Sequence, residues 1–240
     1  MERPIIIALD FSTKKETEAF LQHFSGESLF VKVGMELFFQ EGPSLLKELK
    51  ERGHRIFLDV KLHDIPNTVY RTMRGLARFD IDLITVHAAG GTAMMKAALK
   101  GLAEGKAWGR KRTRCVAVTQ LTSMTEEEIR KEQRIPLSLT ESVVHYAKLA
   151  RDAGLDGVIS SVHEAPHIRK ACGETFHIIT PGIRLPDDAC DDQKRIADPR
   201  TARKNGANAI VVGRSITRDE NPYQRYESIK KLWEDDSYGT

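Results

Sequence analysis

Eight short apolar runs, each followed by a longer stretch of helical spacing, constrain this chain more than any other feature. The runs are IIIALD (5–10), LFVKVG (29–34), RIFLDVK (55–61), LITVHA (83–88), RCVAVTQL (114–121), GVISS (157–161), HIITPG (177–182) and AIVVG (209–213). They are rich in Val and Ile and apolar on both faces, which is the pattern of parallel strands covered by helices. The punctuation between them agrees. Thr125 with Glu128 and Ser138 with Glu141 have capping-box spacing, and Gly53, Gly154, Gly173 and Gly206 stand where helices should stop. Eight such units with no Pro/Ser-rich linker predict a single (β/α)8 TIM barrel domain over residues 1–240, with an open doubly wound sheet as the alternative arrangement of the same units.

Composition narrows the partners. With 40% hydrophobic and 30% charged residues the chain has the make-up of an ordinary soluble protein, and a net charge of +3 is too small to call for nucleic acid. Cys115, Cys172 and Cys190 are odd in number and far apart, which argues for a reducing compartment and against a disulfide framework or structural zinc. The opening MERPIIIALDFS reads as neither a signal peptide nor a membrane span, so a cytoplasmic location without membrane contact is expected. The basic stretch KAWGRKRTR (106–114) reads as a solvated connection, since Trp108 is its only aromatic residue. The connector LPDDACDDQKRIADP (185–199) is long for a loop after a strand, and loops of that length are often lids or binding loops. No internal repeat or low-complexity tract is visible.

Polar residues gather at the C-terminal ends of the runs: Asp10, Lys32, Asp59 with Lys61, His87, Thr119 to Ser123, Pro181 with Gly182, and Gly213 with Arg214. In a barrel these ends form the face where active sites lie. Asp59 and Lys61 are two residues apart among bulky Leu58, Val60 and Leu62, so regular alternation sends both inward, and Lys32 between Val31 and Val33 should follow one strand away. Charges confined together are costly unless paired, and an alternating set of Lys32, Asp59, Lys61 and Asp64 would leave a cationic lysine poised to give a proton. Blander readings stand beside these. Asp59 and Lys61 could form a structural ion pair, Asp64 ahead of Ile65 and Pro66 could cap a helix, Asp10 could simply end a strand, and His63 and His87 lack metal-ligand spacing. At the eighth run, Gly213, the following helix N-terminus and Arg214 suit a phosphate, as the loops after strands seven and eight of barrels often do; a tight turn with a surface arginine is the plain alternative.

The string FLDVKLHDIPNTV, with LTSM at the fifth run, PGIR at the seventh and VVGRSIT at the eighth, closely resembles orotidine 5′-phosphate decarboxylase of the bacterial type, in order and spacing over nearly the whole chain. The resemblance implies a homodimeric barrel, active sites at the dimer interface, and conversion of orotidine 5′-monophosphate to UMP and CO2 with no metal and no organic cofactor. By motif, Lys61 would donate the proton to C6 of the pyrimidine, and Lys32, Asp59 and Asp64 would complete a charge network. Asp64 and Thr68 would reach into the neighbouring subunit's site. Asp10 and Lys32 would hold ribose hydroxyls, Thr122 and Ser123 would meet the pyrimidine edge, and Pro181 would lie against the ring. Arg184, Gln193, Gly213 and Arg214 would bind phosphate.

The implied chemistry suits the residues. Losing CO2 from a ring carbon without a cofactor leaves a vinyl-type carbanion, so the site must stabilise negative charge and supply a proton at one carbon, and Lys61 can do both. Two rivals remain open at this level. One is a Mg2+-dependent sugar-phosphate enzyme of the same wider family, sharing a D-x-K-x-x-D strand; the other is a barrel that binds nucleotide phosphate without turnover.

Overall fold

The computed structural model describes residues 3–188 and 196–235. All eight runs form strands: β1 Ile5–Leu9, β2 Phe30–Gly34, β3 Arg55–Leu62, β4 Leu83–His87, β5 Arg114–Val118, β6 Gly157–Ile159, β7 His177–Thr180 and β8 Ala209–Val212. They pair in parallel in chain order, and β8 returns to β1 with Ile210 opposite Ile5, so the sheet closes and the doubly wound alternative is excluded. The helices are α1 Lys14–Gln22, α2 Met35–Glu41, α3 Pro43–Glu51, α4 Pro66–Leu76, α5 Gly91–Gly105, α6 Glu126–Lys131, α7 Leu139–Ala153, α8 Ala165–Cys172, α9 Pro199–Lys204, α10 Arg214–Thr217 and α11 Pro222–Glu234. Among the described residues no helix is long and apolar enough to cross a membrane.

Burial on both faces explains why the strands read as continuous apolar runs. In β1, Ile5, Ile7 and Leu9 join the layer between barrel and helices, while Ile6 and Ala8 point the other way. Inside the barrel they meet Phe30, Phe57, Leu83, Val116, Ile179, Ala209 and Val211 in a second apolar cluster. The barrel interior is therefore a packed core rather than a pore.

The helix signals act as expected. Both capping boxes form, and a third at Thr13 and Glu16 starts α1. Gly154 ends α7 in the left-handed conformation (φ 93°), which a residue with a Cβ adopts only at a cost. On α4, Val69, Met73 and Leu76 make the buried stripe. This helix lies unusually close to α5, because Gly101 and Gly105 carry no side chain there; a Cβ at Gly101 would stand 2.3 Å from the Tyr70 carbonyl oxygen.

At the N-terminal rim one device recurs. The residue just before each of β4, β6 and β8 accepts an N–H from the preceding odd-numbered strand. Asp82 Oδ2 takes Ile56 N–H at 2.8 Å, Asp156 Oδ2 takes Cys115 N–H at 2.8 Å, and Asn208 Oδ1 takes Ile178 N–H at 2.8 Å. Beside the last of these, the Arg169 guanidinium of α8 donates to five acceptors. They are the carbonyls of Gly173 (2.9 Å), Glu174 (2.9 Å), Phe176 (2.8 Å) and Gly206 (2.8 Å), and Asn208 Oδ1 (2.6 Å). One side chain thus ties α8, the entry to β7 and the entry to β8 together.

Candidate active site

The third strand supplies the centre of the site, and it is not regular. Its pairing with β4 runs Phe57 to Leu83 and Leu58 to Ile84, then resumes only at Leu62 to Val86. Four steps along β3 therefore match two along β4, and Asp59, Val60 and Lys61 form a bulge. Lys61 has positive φ there (47°), an uncommon conformation for a residue with a side chain. Asp59 and Lys61 do meet, with Lys61 Nζ 2.8 Å from Asp59 Oδ2, but across this bulge rather than by simple alternation. Thr85 of β4 fills the resulting gap. Its hydroxyl donates to Asp59 Oδ1 at 3.0 Å and accepts the Lys61 N–H at 2.9 Å.

On the other side, Lys32 Nζ stands 3.9 Å from Asp59 Oδ2 and donates to Asp10 Oδ1 at 2.7 Å. Asp10, Lys32, Asp59 and Lys61 thus alternate in sign across three neighbouring strands. Asp59 is only 9% exposed. Moving one such charge out of water costs several kcal/mol, and a partner on each side offsets that cost. Gly34 keeps the chain compact, since a Cβ there would lie 3.3 Å from Asp10 Oδ1 and 3.4 Å from Lys32 Nζ.

Asp64 is not the fourth member of the chain within its own subunit. It lies exposed, two residues past the end of β3, where its Oδ1 accepts the Ile65 N–H at 2.6 Å; among the described residues it makes no ion pair. Nor does it cap α4. Ile65 occupies the N-cap position and makes no side-chain cap, while Pro66 starts the helix as the sequence suggests. Thr68, in the first turn of α4, is exposed as well. His63 and His87 stack on each other (5.4 Å between ring centres, 17° between planes). Burial, together with the neighbouring His63 and Lys61, pushes the His87 pKa down, and its Nδ1 accepts the Ala89 N–H.

A cavity of about 530 Å3 opens above these groups, a size suited to a small molecule. Asp10, Lys32, Asp59 and Lys61 form one wall, and Ala8, Phe57, Val118, Ile159 and Val211 form an apolar floor. Thr122 and Pro181 flank the opening, and Arg184, Gly213 and Arg214 lie on the β7–β8 side. Ser123 does not line the cavity, nor do Asp64 and Thr68; Gln193 lies outside the described residues. The helix after Gly213 is a single turn of four residues, too short to add much dipole. Attraction for an anion rests instead on cations, Arg184 and Arg214 together with Arg218, which sequence reasoning did not single out.

Sequence reasoning also passed over Gln120 as a residue in its own right. It is buried, lines the cavity, and donates through Nε2 to Gln133 Oε1 (2.9 Å) and Ser142 Oγ (3.0 Å), which anchors the Leu121–Thr122 segment. Thr85 had a signal that could have found it. In LITVH it is the polar residue two places from inward-facing Leu83, at the height of Asp59.

Comparison with known proteins places this geometry. A family model described as "Orotidine 5′-phosphate decarboxylase / HUMPS family" matches residues 3–229. The chain is 58% identical over 234 residues to an orotidine 5′-phosphate decarboxylase of Bacillus cytotoxicus and 57% identical over 234 residues to one of Bacillus cereus, covering 98% of both chains in each case. Among solved structures it resembles orotidine 5′-phosphate decarboxylase from Lactobacillus acidophilus, with TM-score 0.87, 41% identity, and 98% and 100% of the two chains covered. An uncharacterized conserved protein from Geobacillus kaustophilus superposes with TM-score 0.86 at 50% identity, covering 96% and 100%.

Proposed function

We propose, from the premise that the chain belongs to the orotidine 5′-phosphate decarboxylase / HUMPS family, a metal- and cofactor-free decarboxylation in which Lys61 is the proton donor. The coarser activity follows from the family and its named relatives: decarboxylation of orotidine 5′-monophosphate in pyrimidine biosynthesis. The reading beyond it is carried by one observation, the alternating chain Asp10–Lys32–Asp59–Lys61 on the cavity wall.

In this reading the C6–carboxylate bond breaks, CO2 leaves, and the electron pair stays on C6. Lys61 then transfers an ammonium proton to that carbon, giving UMP. A cation beside the developing carbanion stabilises it before the proton moves, so one group serves both needs. Asp59 sits between the two lysines, holds Lys61 by its 2.8 Å contact, and faces the departing carboxylate. Asp10 and Lys32, already paired at 2.7 Å, hold the ribose hydroxyls. Thr122, which lines the cavity, meets the pyrimidine edge and Pro181 covers the ring. The phosphate lies against Arg184, Gly213 and Arg214, remote from C6, where its binding energy can be expressed in the transition state.

The active unit is a homodimer in which Asp64 and Thr68 complete the neighbouring site. Their exposure, outside the lining of their own subunit's cavity, supports this, as does Ile65 between them in sequence, left 67% exposed. The deciding experiment follows orotidine 5′-monophosphate by absorbance with metal-free protein in excess EDTA. Turnover should be undiminished, and Lys61→Ala should lose it by several orders of magnitude while still binding UMP. Turnover of Lys61→Ala near the unaltered rate would remove the proton donor; dependence on Mg2+ would point to the sugar-phosphate branch.

A further inference from the structure

We propose that Thr85 is a positioning residue for the reaction, its hydroxyl holding both the Asp59 carboxylate and the Lys61 backbone so that the Lys61 ammonium is aimed into the cavity. The proposal rests on the reading of Lys61 as proton donor.

Thr85 is wholly buried and does not line the cavity, so it can act only through its neighbours. The hydrogen-bond directions leave it no freedom. An amide N–H can only donate, so the Lys61 N–H (2.9 Å) occupies a hydroxyl lone pair. The single hydroxyl proton is then committed to Asp59 Oδ1 (3.0 Å). With Oδ1 engaged, Asp59 presents Oδ2 alone to the lysines, at 2.8 Å from Lys61 and 3.9 Å from Lys32. The carboxylate cannot rotate without breaking a buried bond.

The backbone contact matters equally. The bulge removes Lys61 from the regular pairing with β4, and a bulged N–H needs another partner. The Thr85 oxygen is that partner, and it steadies a residue held at positive φ (47°). One side chain thereby sets both ends of the donor, the backbone from which Lys61 springs and the acid that receives its Nζ. A β-branched residue suits the task because its χ1 is stiff.

Three substitutions separate this role from plain packing. Thr85→Val keeps the shape and deletes the hydroxyl. We expect kcat to fall roughly 10²-fold, as a displacement of about 1 Å can cause, while KM and the Kd for UMP change less than about threefold. Thr85→Ala, which also lacks the hydroxyl, should show the same split, and Thr85→Ser, which keeps it, should stay within about fivefold of the unaltered kcat. The inference is overturned if either hydroxyl-free variant retains kcat, if KM rises while kcat holds, or if Thr85→Ser is as impaired as Thr85→Val. Lys61→Ala run alongside keeps the two ideas apart. An active Lys61→Ala removes the donor itself, whereas an inactive Lys61→Ala beside a fully active Thr85→Val removes only the role of Thr85.

Discussion

Arg169 offers the sharpest test of how stability and catalysis are divided in this barrel. Its guanidinium makes five hydrogen bonds, and Arg169→Ala deletes all of them. The carbonyls of Gly173 and Glu174 are exposed and can turn to water, so their loss costs little. The other three acceptors, Phe176 O, Gly206 O and Asn208 Oδ1, are partly buried. A hydrogen bond from a charged donor contributes about 1.5–3 kcal/mol, and discounting for partial exposure leaves roughly 1 kcal/mol each, or about 3 kcal/mol in all. For a chain of this length that lowers Tm by about 6–12 °C. Arg169→Lys should recover little, because a single ammonium cannot span acceptors that a planar fork reaches together. The assay is thermal unfolding followed by circular dichroism, paired with kcat/KM at 25 °C. Since Arg169 works at the rim away from the cavity, kcat/KM should be unchanged wherever the variant remains folded. A Tm shift below about 2 °C, or lost activity in folded protein, would refute the reasoning.

Two further outcomes follow. Burial pushes the pKa values of His54, His87 and His177 below the ordinary 6.5. The folded protein keeps these rings neutral while the unfolded chain protonates, so their contribution is intact above 6.5 and is lost as pH falls from there through the lower folded values. The urea midpoint should decline between about pH 7 and pH 5, and a flat or rising midpoint would contradict this. For the shared site, mixing inactive Lys61→Ala chains with inactive Asp64→Ala chains should restore activity through hybrid dimers that carry one intact site. Hybrids demonstrated by mass spectrometry but without turnover would sink the intersubunit role of Asp64.

Periodicity made the architecture legible. Every apolar run became a strand, because a sheet buried on both faces leaves no polar alternation to confuse the reading, and errors were confined to strand ends, as at β5, which stops at Val118. The acid–base wall was equally open to inspection, since Lys32, Asp59 and Lys61 interrupt runs that otherwise need no charge. What stayed hidden depends on spacing between strands. The bulge in β3 is a property of its pairing with β4, and nothing in FLDVKL marks it. Asp64 shows the converse difficulty. Its position in the motif suggested a place in its own charge chain, yet the turn after Leu62 carries it outward.

The rim contacts of Asp82, Asp156 and Asn208 have a consequence at the opposite end of the barrel. Each grips a backbone N–H three residues before a cavity-lining position: Ile56 before Asp59, Cys115 before Val118, Ile178 before Pro181. Three residues of strand span about 10 Å. A strand slipped by one residue would turn its functional side chains to the wrong face, and one slipped by two would raise or sink them by about 7 Å. The three clamps act as depth gauges, setting from below how far into the mouth β3, β5 and β7 deliver their chemistry. Loops at the mouth can then be exchanged without disturbing the level at which a substrate meets the floor.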